Sequence, residues 1–523
     1  MQPESQPGHR PAFPATYRAD RVTRCDRLES DLNVAAEVCV IGTGAGGAVA
    51  AAELATAGLD VVMLEEGPYL TAEDYAGLTA IESIKATYRD AGFTFTMGSP
   101  GILMPYGRCV GGSTVINSGS AFRMAEETFA FWKRQHGLGG LEWSDMTRHF
   151  DRVERVVHIT PVPEELLGEN GRLMRTGAEA LGLAGEVVTR NAHGCVGRGR
   201  CYLGCPENAK QSTQLNYVPA ALAAGARLYT HCRAERVIME GSRTGGVAAA
   251  TTGPSPRNLR VKAGIVVVAC GAVFSPILLS RSGIATGNRH TGKHLRVHPA
   301  SRVIGLFDRE INGHLGVPQS YHVTGLMARK LVPEGVFIPP SLLAPAVPGI
   351  GRSHLELMKQ YPRMGLLGYR IIDSGEGEVA GKVMGMANVR YDLSVEDTAK
   401  LVEVMRLTGE ILFAAGAKRV WLPVYGRAEA GSVDQLQKLL AGPIPATDIE
   451  LAAYHPHATL RMGTDESRGV TASDGSVFGA PGVYVADASL FPESPVVNPQ
   501  ITVMALAGAV AERIAASRGK QLA

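Results

Sequence analysis

The stretch "YHPHATLRMG", residues 454–463, places two histidines one residue apart. Imidazole titrates near neutrality, so His455 or His457 suits a base that takes the proton from a hydroxyl. Further on, Asn498 and Pro499 precede an amphipathic run, the pattern of a helix N-cap followed by proline at the first helical position. A helix starting there would aim its positive end at negative charge developing beyond it. A third cluster is "GCVGRGRCYLGCPENAKQST", residues 194–213, with Cys195, Cys201 and Cys205 among glycines and basic residues. Three thiols so spaced can ligate a metal or cluster, form a disulfide clasp, or stand as reduced cysteines. Closed zinc sites want four ligands, and His193 is the near fourth candidate.

The elements that must position such groups are clearest in "AEVCVIGTGAGGAVAAAELATAGLDVVMLEEG". An apolar strand, Val38 to Ile41, runs into Gly42, Gly44 and Gly47. An alanine-rich helix then ends at Gly58, and a second apolar strand ends at Glu65. Gly42 permits the tight turn, Gly44 and the adjoining Ala45 let backbone approach a pyrophosphate at the helix N-terminus, and Gly47 lets the helix pack close. Glu65 stands about 20 residues on, where a carboxylate takes ribose hydroxyls. Strand, glycines, helix, strand and acid together predict dinucleotide binding, without choosing between NAD and FAD.

"GRCVGGSTVINSGSAF", residues 107–122, resembles the first signature of the glucose–methanol–choline (GMC) family of flavin oxidoreductases. The likeness rests on Gly107, Arg108, Gly111, Gly112, Ser113, Thr114 and Asn117, with Met124 where a small residue is usual. "GAVFSPILLSRSGIA", residues 271–285, resembles the second signature, with Ala285 in place of its closing glycine. "GVYVADASLFPESPVVNPQITVMALA", residues 482–507, is similar to the C-terminal FAD segment. The resemblance implies FAD as cofactor. It implies an α/β fold in which a Rossmann-like FAD-binding domain joins a discontinuous α+β substrate domain built on an antiparallel sheet.

It also implies roles. With Thr459 and Met462-Gly463 as register marks, His455 matches the base that removes the hydroxyl proton as hydride leaves for flavin N5, and His457 is a supporting residue. Ala458 stands where glycine is frequent. Asn498 matches a donor to the substrate oxygen. Gly107, Gly112, Ser113, Asn117 and Val237 are implied as cofactor contacts, as are Ala488, Pro499 and Asp487, the last beside the ribityl–pyrophosphate chain. Some members attach flavin through a histidine just before the signature asparagine; Ile116 there predicts non-covalent FAD.

"CYLGCPENAKQST", "HPASRVIGLFDREING" and "ILFAAGAKRVW" resemble the long-chain alcohol oxidase branch. That branch implies a primary, apolar long-chain alcohol oxidised to the aldehyde, with dioxygen as acceptor. Some dehydrogenases of the superfamily carry a [3Fe–4S] cluster on a similar segment. An external electron carrier, with Cys195, Cys201 and Cys205 as cluster ligands, is therefore an alternative. A steroid or other bulky alcohol as substrate, and a non-redox lyase or photoenzyme on the same scaffold, are others.

The chain has 523 residues, 45% hydrophobic and 20% charged, and its 52 basic against 50 acidic side chains form no block of like charge. Nothing resembles a nucleic-acid footprint. No run approaches the roughly 18 apolar residues of a membrane span. The N-terminal residues lack an apolar signal core, which predicts a cytoplasmic protein, with peripheral membrane contact left open. Structural disulfides are not expected in a reducing compartment. Cys39 and Cys270, inside apolar runs, read as core residues. The expected division is 36–149, 206–295 and 455–523 for the FAD-binding domain, 150–205 and 296–454 for the substrate domain, and 1–35 as an N-terminal extension. Within the substrate domain, "LSVEDTAKLVEVMRLTGEILFAAGAKRV" predicts a helix with Ser394 and Asp397 as capping box. "GLLGYRIIDSGEGEVAGKV" predicts two strands around a turn.

Overall fold

A computed structural model describes residues 19–427 and 429–521. The strands Val38–Ile41 and Val61–Leu64 are buried at every position, as the interior of a parallel sheet covered on both faces requires. They are the centre of a six-stranded parallel sheet. Its order is Val22–Arg24, Arg227–Thr230, Val61–Leu64, Val38–Ile41, Ile265–Val268 and Val483–Val485. The helix Ala45–Thr56 has small residues along most of its length and packs on the C-terminal helix Gln500–Gln521. A second sheet of four strands contains the long hairpin Cys232–Glu240 and Arg243–Thr251, then Asn258–Lys262 and Leu32–Ala35.

The segment 1–35 is thus not simply an extension. Residues 1–18 lie outside the described residues, but Val22–Arg24 and Leu32–Ala35 each complete a sheet edge. Backbone pairing recruited them, and three- and four-residue strands leave little hydrophobic pattern to read.

The other half is a seven-stranded antiparallel sheet. Its strand Met364–Ile371 is buried throughout. Alternation explains this: Leu367, Tyr369 and Ile371 join a core with Leu401 and Met405 of the helix Val395–Ala414, while Leu366, Gly368 and Arg370 line a cavity. This is the Rossmann-like α/β half and antiparallel α+β half that the sequence predicts.

One local expectation changes. Ser394 Oγ caps the helix by accepting from Asp397 N at 3.0 Å, but the Asp397 carboxylate does not return the bond. It accepts instead from the backbone N–H of Ser374 and Gly375, pinning the preceding turn. The two strands expected around that turn are Met364–Ile371 and Glu378–Val383, and the second pairs with Met386–Arg390 in a hairpin. Among the described residues no helix is long and apolar enough to cross a membrane.

Candidate active site

Between the two halves lies a cavity of about 1020 Å³, at the upper end of the roughly 300–1,000 Å³ usual for ligand sites. Gly42 has φ +98°, and a Cβ there would fall 2.4 Å from Ala269 O. A Cβ on Gly47 would fall 2.0 Å from Gly42 O, so the helix lies against the loop as the spacing predicts. Gly46 carries an equal constraint that the motif does not announce, since its Cβ would meet Ala486 O at 1.7 Å. Gly44, the N-cap, has open space where a side chain would be and lines the cavity with Ala45. Gly112, at φ +51°, brings the second glycine segment against it: a Cβ on Gly112 would be 3.0 Å from Gly44 Cα.

Glu65 lies at the cavity, and its oxygens are engaged by the loop. Oε2 accepts from Thr43 N at 3.1 Å and Thr43 Oγ1 at 2.6 Å, and Oε1 from Gly67 N at 3.0 Å. A carboxylate has about four lone-pair sites, so acceptor capacity remains for a hydroxyl ligand. Burial still pushes the Glu65 carboxyl up. Asp487 is a hub: it accepts from Gly271 N at 2.8 Å, Ser275 Oγ at 2.5 Å, Ser489 N at 2.8 Å and Ser489 Oγ at 2.5 Å. It ties the end of a parallel strand to the start of the helix Gly271–Arg281. Gly107 donates to Ser113 Oγ at 3.1 Å, and Asn117 donates to Gln500. Gly107, Ser113, Asn117, Ala488 and Pro499 all line the cavity.

Val237 does not. It is buried in the hairpin strand, and its N–H donates to Ser282 Oγ at 2.9 Å, while Cys232, Arg233 and Ala234 of that strand reach the wall. Cys270 is also displaced from expectation: it follows the strand Ile265–Val268, remains partly exposed and lines the cavity. Cys39 is fully buried as expected.

At the cavity's polar end four residues determine one another's protons. Arg370, 2% exposed, can only donate, and its Nη2 lies 3.2 Å from Asn498 Oδ1. The Asn498 amide nitrogen therefore faces His455 Nε2, at 3.4 Å. His455 Nε2 must then be the acceptor, so its proton sits on Nδ1, 3.2 Å from His298 Nδ1. The His298 proton in turn is on Nε2, donated to Ser494 Oγ at 2.7 Å. The unprotonated Nε2 of His455 and the Asn498 amide beside it thus lie together on the cavity wall. Burial first, then the positive charge of Arg370 and the neighbouring His457, hold His455 well below the usual imidazole range.

His298 gives no motif in the sequence beyond a His-Pro pair like that of His455. It is held at φ +52° by Asp373, which accepts from the backbone N–H of Val297 at 3.0 Å and of His298 at 3.1 Å. Burial keeps His298 neutral, well below its ordinary value. His457 is off the cavity: its Nδ1 donates to His455 O at 2.7 Å, fixing the backbone of His455, and burial pushes it down to about 4. Asn498 is not spent as a helix cap, because both ends of its amide are engaged in the site. Glu334 approaches Arg370 Nε at 3.8 Å, and burial pushes its carboxyl up.

Cys195, Cys201 and Cys205 are free and partly exposed. Among the described residues no group of three or more His, Cys, Asp or Glu side chains is arranged to hold a metal ion.

The GMC oxidoreductase N-terminal model matches residues 84–300, and the C-terminal model matches 379–507. The chain belongs to the GMC oxidoreductase family. It is 39% identical over 482 residues to an uncharacterized GMC-type oxidoreductase of Mycobacterium tuberculosis, covering 92% of this chain and 76% of that one. It is 28% identical over 537 residues to a long-chain-alcohol oxidase of Arabidopsis thaliana, covering 94% and 68%. The fold is similar to that of formate oxidase from Aspergillus oryzae, with a TM-score of 0.70 at 15% identity over 94% of this chain and 100% of the other. Members of the GMC family are FAD-dependent oxidoreductases, and this one has the cavity for the cofactor. Tyr106 Oη, Arg108 Nε and Gln500 Nε2 are buried on the cavity wall without a partner. The glycine wall at Gly44 and Gly112 has no Cβ to obstruct a phosphate chain.

Proposed function

We propose that this GMC oxidoreductase oxidises a primary long-chain alcohol to the aldehyde, with His455 as base and Asn498 as donor to the substrate oxygen. The observation that carries the reading is the unprotonated His455 Nε2 beside the Asn498 amide on the cavity wall, an orientation set by Arg370. FAD, when bound, supplies the hydride acceptor. The cavity wall at Gly44, Ala45, Gly107, Gly112, Ser113 and Asn117 would hold it, with Glu65 and Asp487 at its polar rim. Ile116, at the position where a linking histidine would stand, has no nucleophilic atom, which supports non-covalent attachment.

His455 Nε2 takes the hydroxyl proton. The imidazolium so formed keeps its Nδ1–H on His298, whose own proton rests on Ser494 Oγ, so the charge is spread without reorganising the site. The Asn498 amide and the Arg370 cation stabilise the negative charge developing on the substrate oxygen. Away from this polar end the cavity is lined by Ile81, Ile84, Phe93, Phe95, Leu103 and Leu342, an apolar lining that suits an alkyl chain. Likeness to long-chain-alcohol oxidases supports the same substrate class and dioxygen as acceptor. The test is anaerobic mixing of the flavin-loaded enzyme with dodecanol in the dark. Bleaching of the oxidised flavin with release of dodecanal is expected, and oxygen uptake on admitting air. Flavin that stays oxidised with every primary alcohol would overturn the proposal.

A further inference from the structure

Below the second glycine segment lie two buried cations, Arg190 and Lys210, with no carboxylate paired to them among the described residues. Arg190 and Lys210 are each 3% exposed. Lys210 Nζ donates to Val115 O at 2.5 Å, Asn117 O at 2.6 Å and Cys201 O at 2.6 Å, which uses all three ammonium hydrogens. Arg190 donates to Ser118 O from Nε at 3.2 Å and from Nη2 at 2.5 Å. Its Nη2 also reaches Cys201 Sγ at 3.1 Å, and the same guanidinium interacts with Cys195.

The favourable electrostatic partners of both cations are sulfurs: Cys201 and Cys195 for Arg190, and chiefly Cys201 and Cys205 for Lys210. Burial pushes the Lys210 amine down to about 8, with those sulfurs acting the other way. Burial also opposes the charge on Arg190, but its sulfur partners outweigh it and the guanidinium is held above its ordinary value. A buried charge is costly unless paired, and the Arg190 guanidinium donates to Cys201 Sγ at 3.1 Å, where it can steady the charge that passes through that sulfur as it attacks. Between Cys195 and Cys201 the chain turns at Gly197 and Gly199, with φ +71° and +68°, and brings both sulfurs to one guanidinium. Both are partly exposed, whereas Cys39 and Cys109 are sealed in the core.

We propose that Cys201 and Cys195 form an oxidisable thiol pair that takes hydroperoxides, with Cys201 as the attacking sulfur and Cys195 as the resolving one. The Cys201 sulfur attacks one peroxide oxygen and the O–O bond breaks. With hydrogen peroxide, sulfur becomes the sulfenic acid and the second oxygen leaves as hydroxide, taking up a proton to become water. Cys195 sulfur then attacks Cys201 sulfur, the S–S bond forms, the S–O bond breaks and a second water leaves. Two thiols and one peroxide give one disulfide and two waters. Arg190 and Lys210 also hold the carbonyls of Asn117 and Ser118, two residues of the cavity wall, so the thiol state is tied to the cofactor-facing segment. The inference stands whichever alcohol the cavity takes.

The test uses the flavin-loaded enzyme treated with hydrogen peroxide, alkylated and digested with trypsin. Cleavage after Arg198 and Arg200 puts the two cysteines on different peptides. The expected product is those peptides joined by a disulfide. In Cys195→Ser, dimedone should trap sulfenic acid at Cys201. Arg190→Lys should slow the oxidation by about tenfold or more, and Cys205→Ser should leave it unchanged. Recovery of Cys195 and Cys201 both alkylated, or a bridge confined to Cys201 and Cys205 on one peptide, would overturn the proposal.

Discussion

On the proposed mechanism, replacing His298 separates the support of His455 from His455 itself. In His298→Phe an aromatic ring of similar size fills the fully buried site, but His455 Nδ1–H loses its acceptor at 3.2 Å. Ser494 Oγ keeps the Val496 N–H at 3.1 Å, so a single polar group is orphaned. That should cost about 1–3 kcal/mol of stability. The kinetic cost is separate, because the bond at Nδ1 strengthens when His455 gains a proton. A hydrogen bond to a charged group contributes about 1.5–3 kcal/mol. At about 1.36 kcal/mol per decade, flavin reduction should slow roughly 10- to 150-fold. The φ of +52° suits asparagine better than phenylalanine, so His298→Asn separates backbone strain from loss of the ring. Stopped-flow flavin reduction by dodecanol reads the rate, with flavin content and thermal unfolding measured in parallel. Both variants reducing flavin within about threefold of the parent, at full flavin content, would refute the proton assignment.

Loss of the base itself should be larger: His455→Ala is expected to cut flavin reduction by about 10²–10⁴ while FAD remains bound, checked by absorbance after gel filtration. Because burial, Arg370 and His457 hold His455 below the usual imidazole range, flavin reduction should stay level as pH falls through that range and drop only at more acid pH. Arg370→Met combined with Glu334→Gln removes the cation without stranding its partner, and should move the drop to higher pH. Stability follows the same sign. His298 and His457 are depressed in the fold, so the unfolded chain binds more protons on acidification, and thermal stability should decline as pH falls below the ordinary imidazole range. Ala458 is buried at φ +74°; Ala458→Gly relieves about 1–2 kcal/mol of left-handed strain against about 0.4–1 kcal/mol of added unfolded-state entropy, and should raise the melting temperature slightly. An unchanged or lower value would remove strain as the account of that position.

Much of the cofactor side was legible because its constraints are local. Gly42, Gly44 and Gly47 announce a strand–turn–helix on their own, and the structure shows the carbonyls that side chains on Gly42 and Gly47 would strike and the open space left at Gly44. His455 and Asn498 were legible as residue types in recognisable segments. Val237 was misplaced because a strand's period gives its face but not which stretch of it reaches a cavity. The short strands Val22–Arg24 and Leu32–Ala35 escaped because edge pairing, not hydrophobic pattern, recruits them.

The chain order by itself determined the α/β scaffold and the glycine cradle and singled out His455 and Asn498 as candidates, since each rests on a pattern over a few neighbouring positions. What the tertiary structure alone decided is how those residues are protonated and charged. Arg370, His298 and Ser494 lie 128, 157 and 196 positions from the groups they set. Tautomer and charge depend on which donor points at which acceptor, and on how much water is excluded around them. Those quantities exist only once the antiparallel sheet has closed over the parallel one.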